Sequence, residues 1–504
     1  MMSEKIKIVG ELAKFAAEQS KVCGQEHEIV ELRSGRHMRH TSDEFAQLVQ
    51  KNAARIAACG NGHHIALVGE KTFGWCVAYL AAAMTKNVTV LTDPALPASY
   101  LQKLFRKADV DAVIYDSTAI EKIQTMAEQG YAFKFKMGMA DFEKGGPIAD
   151  GCDANIFEKP VEADVCSIFF TSGTSGEPKA VMLTHRNLIS NTAIIGEDCQ
   201  FRWYNATMFS MLPFYHAYGC VVELLIPLYL HCNLYLNDTI THLTEHLALV
   251  HPTHIACVPI IVKMLRLWIA STARKKDISE KEAMQLVTGG NLRQIICGGA
   301  HLPPDYIDIF SEMGVTVRVG YGMTECAPQI ATNAIADVKK YSVGKIIRGE
   351  QIHIENNEIW IKGPNVMKGY YKDDKANEEA FSPDGWFKTG DLGYVDSDGF
   401  LYLTGRKKNL IIMDNGVNIS PEHYENSLMA CDAVEEVIVF SQNNQLTAEI
   451  YPAPVFDSAT ALAMIEKCIC ELNLTLPPTR LLCRHIIRKT PFPKTATNKI
   501  LRDR

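Results

Sequence analysis

Nine consecutive residues, Thr171-Ser-Gly-Thr-Ser-Gly-Glu-Pro-Lys179, bring together four hydroxyls (Thr171, Ser172, Thr174, Ser175), two glycines (Gly173, Gly176) and a lysine. Such a run can wrap a polyphosphate: glycine lets backbone N–H groups approach phosphate oxygens, the hydroxyls add donors, and Lys179 supplies countercharge. The spacing is not Gly-x4-Gly-Lys-Ser/Thr, which separates it from the Walker loop. A flexible Ser/Gly surface turn has the same composition, so the surroundings must decide. Gly69-Glu-Lys-Thr72 is half of a Walker pattern but lacks the Gly-Lys adjacency. His242-Leu-Thr-Glu-His246 has the H-x-x-E-H form of a zinc hydrolase, with two imidazoles one helical turn apart and His251 or His254 as a further ligand. Five-residue matches of that kind also arise by chance.

The elements around the loop set its context. It follows a strand-like run, Val165-Cys-Ser-Ile-Phe-Phe170, and similar runs recur at His64–Val68, Val88–Leu91, His254–Val258, Gln294–Cys297 and Val315–Val319, alternating with helical patterns. Alternation of this kind predicts a layered α/β fold. From about residue 340 short alternating strands bracket the Asp398-Gly399 turn, which signals antiparallel hairpins. A small α+β domain is expected after Gly405-Arg-Lys-Lys408, and 504 residues exceed what one core supports. The expected division is a large multi-sheet domain over 1–404 with a small β subdomain, a hinge at 405–408, and a small mobile domain over 409–504.

Composition excludes several classes. With 47% hydrophobic and 22% charged residues the chain has material for sizeable cores, and its net charge of −7 gives no general pull toward nucleic acid or an anionic membrane. The start, Met1-Met-Ser-Glu-Lys5, lacks the basic and apolar regions of a signal peptide, and the longest apolar run, Val221–Leu236, is interrupted by Glu223, His231 and Asn233, so no transmembrane segment is expected. Fifteen cysteines without a CxxC pair read as small buried residues of a reducing cytoplasm.

Read with the loop, six later segments resemble the acyl-adenylate-forming superfamily: acyl- and aryl-CoA ligases, firefly luciferase and peptide-synthetase adenylation domains. They are Pro213-Phe-Tyr-His-Ala-Tyr-Gly219, Gly298-Gly-Ala300, Tyr321-Gly-Met-Thr-Glu325, Trp386-Phe-Lys-Thr-Gly-Asp391, Gly405-Arg-Lys-Lys-Asn409 and Pro493-Lys-Thr-Ala-Thr-Asn-Lys499, in the family's order and across nearly the whole chain. The resemblance is strongest to fatty acid–CoA ligases, and it implies ATP, Mg2+ and coenzyme A. In such a reaction a carboxylate attacks the α-phosphorus of ATP and an acyl-AMP then passes its acyl group to a thiol.

The resemblance also implies roles. Thr171 through Gly176 and Lys179 would hold the β- and γ-phosphates; Thr324 would donate to the α-phosphate; Glu325, helped by Thr174, would position Mg2+. Gly298, Gly299 and Ala300 would lie beside the adenine, with Tyr321 stacked on it and Gly322 next to it, while Asp391 and Arg406 would reach the ribose. Lys499 would bridge the substrate carboxylate and the α-phosphate. Lys408 matches the hinge, about which the C-terminal domain would rotate to exchange Lys499 for Gly416–Pro421; an ordinary exposed lysine would look the same. Asn498 and Ala180 stand where the family has glycine, and Asn is the residue that best replaces it in a left-handed conformation.

His216 stands in the segment that lines the family's acyl pocket, where amino-acid-activating domains carry an aspartate for the substrate ammonium. A histidine cannot replace that charge, which disfavours α-amino acids. Val221, Val222, Leu224 and Leu225 fit an apolar acyl chain or a core helix equally, and the reading leans to a fatty acid over an aryl acid. A carrier-protein phosphopantetheine is the alternative acceptor, and a non-catalytic nucleotide or acyl binder is the alternative class.

Overall fold

The structure is a computed structural model that describes residues 6–24, 26–33, 36–146, 158–172, 177–198, 206–334, 337–414, 418–443, 445–494 and 500–502. Two large sheets form its body. In the seven-stranded sheet the order is Gly369–Tyr370, Pro178–Thr184, Val165–Ser172, Val88–Thr92, His64–Val68, Ala112–Tyr115 and Phe135–Gly138. The last five run parallel, and Pro178–Thr184 runs antiparallel to the strands on both of its sides. In the nine-stranded sheet six parallel strands, Thr316–Gly322, Gln294–Cys297, His254–Cys257, Thr207–Ser210, Asn233–Leu236 and Glu28–Arg33, are flanked by antiparallel edges. Every residue of His254–Cys257 and Gln294–Cys297 is buried, as expected of parallel strands covered on both faces.

The helix Phe73–Ala83, FGWCVAYLAAA, is apolar on all sides and buried at every residue. A helix without a polar face can only be an interior element. Its N-terminus is fixed by Thr72, whose Oγ1 accepts from the Trp75 amide at 3.0 Å. Thr72→Val keeps the shape and removes that acceptor, so it is expected to lower stability by about 1 to 2 kcal/mol; urea unfolding measures it, and an unchanged midpoint would count against the cap.

A four-stranded antiparallel sheet, Gln351–Glu355, Glu358–Lys362, Phe387–Val395 and Leu401–Arg406, follows. The Asp398-Gly399 turn is where the sequence places it, with Gly399 at φ 85°. The C-terminal unit packs the helices Pro421–Met429 and Ser458–Leu474 on the strands Val434–Gln442, Gln445–Pro452 and Leu482–Ile487, around its own core of Leu428, Val439, Ala448 and Ile465. The large α/β domain and smaller α+β domain therefore match the sequence expectation. Among the described residues no helix is long and apolar enough to cross a membrane.

Glu350 enters the four-stranded sheet half-buried, and burial pushes its carboxyl up to about 7 against one opposing amide at Asn365. A raised acid favours the folded state most when neutral, so this contribution is full below the ordinary 4.5 and is lost as pH rises through about 7. Glu350→Gln is expected to flatten the fall in stability between those values, and urea midpoints across that range test it.

Candidate functional site

The phosphate-type loop is the turn of a hairpin. Val165–Ser172 pairs antiparallel with Pro178–Thr184, with Thr171 opposite Lys179 and Ser172 opposite Pro178. The sequence reads this run as a loop, whereas the pairing carries strand to both of its ends; Gly173, Thr174, Ser175 and Gly176 lie outside the described residues. The Lys179 ammonium sits 4.4 Å from the centroid of the Tyr370 ring. Tyr370 in turn donates its hydroxyl to Glu325 Oε1 at 3.0 Å. Burial and the Glu325 charge hold the Tyr370 phenol well above its ordinary value, so it remains a donor. Glu325 is buried in the single turn Thr324–Cys326, which follows the strand Thr316–Gly322. That strand is expected to stop at Val319; it continues because it pairs with Gln329–Thr332. A Cβ on Gly322 would lie 1.9 Å from the Pro328 carbonyl oxygen, so only glycine allows this close approach before Thr324.

On the other side Asp391 is held by two partners. Tyr321 donates its hydroxyl to Asp391 Oδ2 at 2.8 Å, and Arg406 Nε lies 2.9 Å from Oδ1. Asp391 and Arg406 face each other across Phe387–Val395 and Leu401–Arg406, so sheet register brings them together. Each carboxylate oxygen keeps a further lone pair, which leaves capacity for a diol. Gly298, Gly299 and Ala300 follow the strand Gln294–Cys297, with Gly298 against the Tyr218 ring and the other two exposed. Ligands gather at such carboxyl ends of parallel strands.

His216 is half-buried just before the short helix Ala217–Cys220, its ring edge-on to Tyr215 at 4.8 Å. Val221 opens a π-helical stretch, Val221–Leu225, and is fully enclosed in the main core. Two charged residues fix the chain leading to His216. Glu223, fully buried, accepts from Ser210 Oγ, the Met211 amide and the Leu212 amide at 2.8, 3.1 and 2.7 Å. Lys71 Nζ donates to the carbonyls of Ser210 and Leu212 at 2.8 and 3.3 Å. Burial raises the Glu223 carboxyl and lowers the Lys71 ammonium, each opposed by the other's charge. The Gly69–Thr72 half-motif thus serves packing: Lys71 clamps a strand end and Thr72 caps a helix.

Arg406 ends its strand, and Lys408 is exposed in the single turn Lys407–Asn409 before the C-terminal unit. Lys499 and Asn498 lie outside the described residues, as does Gly416, but the flanks of Lys499 are anchored. Lys494 and Ile500 form an antiparallel bridge, Lys494 Nζ is 2.7 Å from Glu436 Oε1, and Arg502 Nη1 donates to Glu425 Oε1 at 2.9 Å.

The AMP-binding enzyme family matches residues 17–371. The chain belongs to this family. It is an enzyme of the AMP-forming acid–thiol ligase class. A 2-succinylbenzoate–CoA ligase of Listeria innocua serovar 6a is 30% identical over 372 residues, which cover 68% of this chain and 72% of the relative. A long-chain-fatty-acid–CoA ligase of Bacillus subtilis is 30% identical over 369 residues, covering 68% and 61%. The fold is also that of an anthranilate CoA ligase solved with anthranoyl-AMP (TM-score 0.81, 17% identity, 99% of this chain and 97% of that one). It is shared with the o-succinylbenzoate CoA synthetase of Bacillus subtilis solved with its acyl-adenylate (TM-score 0.77, 22% identity, 97% and 96%).

Within this AMP-binding enzyme the sequence reading missed Tyr370 and Glu223. Tyr370 reaches Lys179 only because Gly369–Tyr370 pairs with Val181 and Met182 at the sheet edge, a contact that no local spacing encodes. Glu223 did leave a signal, as a lone carboxylate in an otherwise apolar run, which a buried charge with dedicated partners would explain.

Proposed function

We propose that this enzyme joins a carboxylic acid with an apolar body, a fatty acid foremost, to coenzyme A through an acyl-adenylate made from ATP. The observation that carries the reading is the convergence of Lys179, Tyr370 and Glu325, three segments far apart in sequence that meet where a polyphosphate and its counterion need a cation, a neutral donor and a carboxylate. The Glu325 carboxylate is the hard oxygen ligand that Mg2+ prefers, so the residues fit that ion. Bound there, Mg2+ would neutralise phosphate charge. Thr171 and Lys179 at the ends of the hairpin turn, with Gly173–Gly176 between them, would bind the β- and γ-phosphates. Thr324 would donate to the α-phosphate. Asp391, oriented by Tyr321 and Arg406, would accept from the ribose hydroxyls, and Gly298–Ala300 would receive the base. His216 would border the acid, Lys499 would bridge its carboxylate to the α-phosphate, and Lys408 would be the pivot between a domain over 1–404 and one over 409–504. Eight buried and unbridged cysteines among the described residues suit a reducing cytoplasm.

Pyrophosphate release from ATP, screened over acetate, fatty, aryl, bile and amino acids with and without coenzyme A, tests the reading. Release with an apolar acid and a CoA thioester as product are expected. Binding of AMP without release for any acid would make the protein a non-catalytic binder, and acyl-AMP without CoA thioester would point to a carrier-protein acceptor. Asp391→Ala removes a charged acceptor worth about 1.5 to 3 kcal/mol, so KM for ATP is expected to rise by about 10- to 100-fold while KM for the acid holds. An unchanged KM for ATP would remove Asp391 from the nucleotide site.

A further inference from the structure

We propose that Asp238, His242 and His246 form a binding site for a divalent transition metal ion of the zinc class, separate from the nucleotide site. The three residues follow the strand Asn233–Leu236 at four-residue steps, with His242 just before the helix Leu243–Val250 and His246 in its first turns. One ligand atom from each lies within 4.8 Å of the others. His242 Nδ1 is 3.1 and 3.0 Å from the two Asp238 oxygens, and His246 Nδ1 is 3.7 Å from Asp238 Oδ1. With zinc–nitrogen and zinc–oxygen bonds of about 2.0 to 2.2 Å, a tetrahedral ion sets its ligands about 3.3 Å apart. These separations straddle that value, so small side-chain rotations bring three ligands to one point.

The surroundings hold the cluster in place. Leu243 and Leu247 are fully buried and seat the helix. The Asn237 amide N–H donates to the Ser210 carbonyl at 3.0 Å and its Nδ2 to the Thr239 carbonyl at 2.8 Å, which fixes the turn carrying Asp238. Asn237 Oδ1 lies 2.7 Å from His246 Nδ1, so that nitrogen faces the turn carrying Asp238, and this is the bond that the ion displaces. Asp238 and His242 are half-buried and leave an entry path, with water as the remaining ligand. On binding, each ring carries its proton on Nε2 and offers the Nδ1 lone pair, exchanging hydrogen bonds to Asp238 and Asn237 for coordinate bonds.

The ligand set differs from the hydrolase pattern in the sequence. Glu245 is exposed, and His254 is a buried strand residue bonded to Thr253 at 2.8 Å, so the carboxylate ligand is Asp238 and the site binds without a hydrolytic base.

Calorimetry with ZnCl2 on the chelator-treated full chain, paired with the visible spectrum of its Co2+ form, tests the proposal. One equivalent at micromolar affinity and tetrahedral Co2+ bands are expected. Affinity should fall at least ~100-fold in His242→Gln and in Asp238→Asn, beyond what loss of an outer partner costs. His242 is 40% exposed, and an unchanged metal-free melting temperature of His242→Gln separates lost ligation from lost folding. Affinity equal to wild type in both variants, a Co2+–thiolate band from the exposed cysteines, or no binding at micromolar zinc would overturn it. A simple ion pair between Asp238 and His242 gives the last of these results.

Discussion

Glu325→Gln is expected to slow acyl-adenylate formation by about 10²- to 10³-fold, the scale on which one well-aimed electrostatic group acts in a transition state. The amide has the size of the carboxylate, and its oxygen can still accept from Tyr370, so folding and the contact at 3.0 Å survive. What disappears is the negative charge at the end of the Lys179–Tyr370 chain. A hard divalent cation binds an amide oxygen far less well than a carboxylate. Pyrophosphate release measured across a MgCl2 range is the check, with the loss partly recovered at high magnesium. Thioester formation from supplied acyl-AMP expels no pyrophosphate and should be spared. Wild-type pyrophosphate release by the variant would remove Glu325 from the reacting centre.

Lys499→Ala is expected to have an effect of similar size, confined to one half of the cycle. A lysine that bridges the attacking carboxylate and the α-phosphate stabilises charge only while the adenylate is being made. After the proposed rotation about Lys408 it would be remote from the acyl carbon, so conversion of supplied acyl-AMP and coenzyme A to thioester should proceed at the wild-type rate. The anchors on either side, Lys494 to Glu436 and Arg502 to Glu425, are untouched by the change, so the domain should keep its stability. Measuring the two half-reactions separately decides the matter: equal loss in both would show a general structural role, and undiminished acyl-AMP formation would end the assignment.

Much of this organisation was legible in the chain because it is local. Period-two alternation with an Asp-Gly turn marks the hairpin that brings Asp391 opposite Arg406, and apolar runs mark the parallel strands at Gln294–Cys297 and His254–Cys257. The Thr316–Gly322 strand outran its expected end because a partner strand, Gln329–Thr332, extends it, and pairing is a property of two segments. The same reason hid Tyr370, whose value lies in an edge pairing with Val181, and the bond from the Tyr321 hydroxyl to Asp391 on another sheet. Val221–Leu225 read equally as pocket or core, and the structure buries all five residues, with Val221, Val222, Leu224 and Leu225 in the main core. Six motifs in order carry the resemblance to the family, whereas the hydrogen bonds between them depend on pairing across the fold.

The hairpin that carries the phosphate residues also limits how this chain can diversify. Single substitutions between Thr171 and Lys179 alter one donor or one charge and leave the pairing of these two residues intact. A deletion that cuts into Ser172 or Pro178 must either end the pairing sooner or slide Pro178–Thr184 along its neighbour. Sliding by one residue turns Val181 and Leu183, both fully buried, toward the opposite face. Homologues should therefore keep the paired ends of this hairpin in register, and a deletion that reaches them should be found only together with a repacked strand.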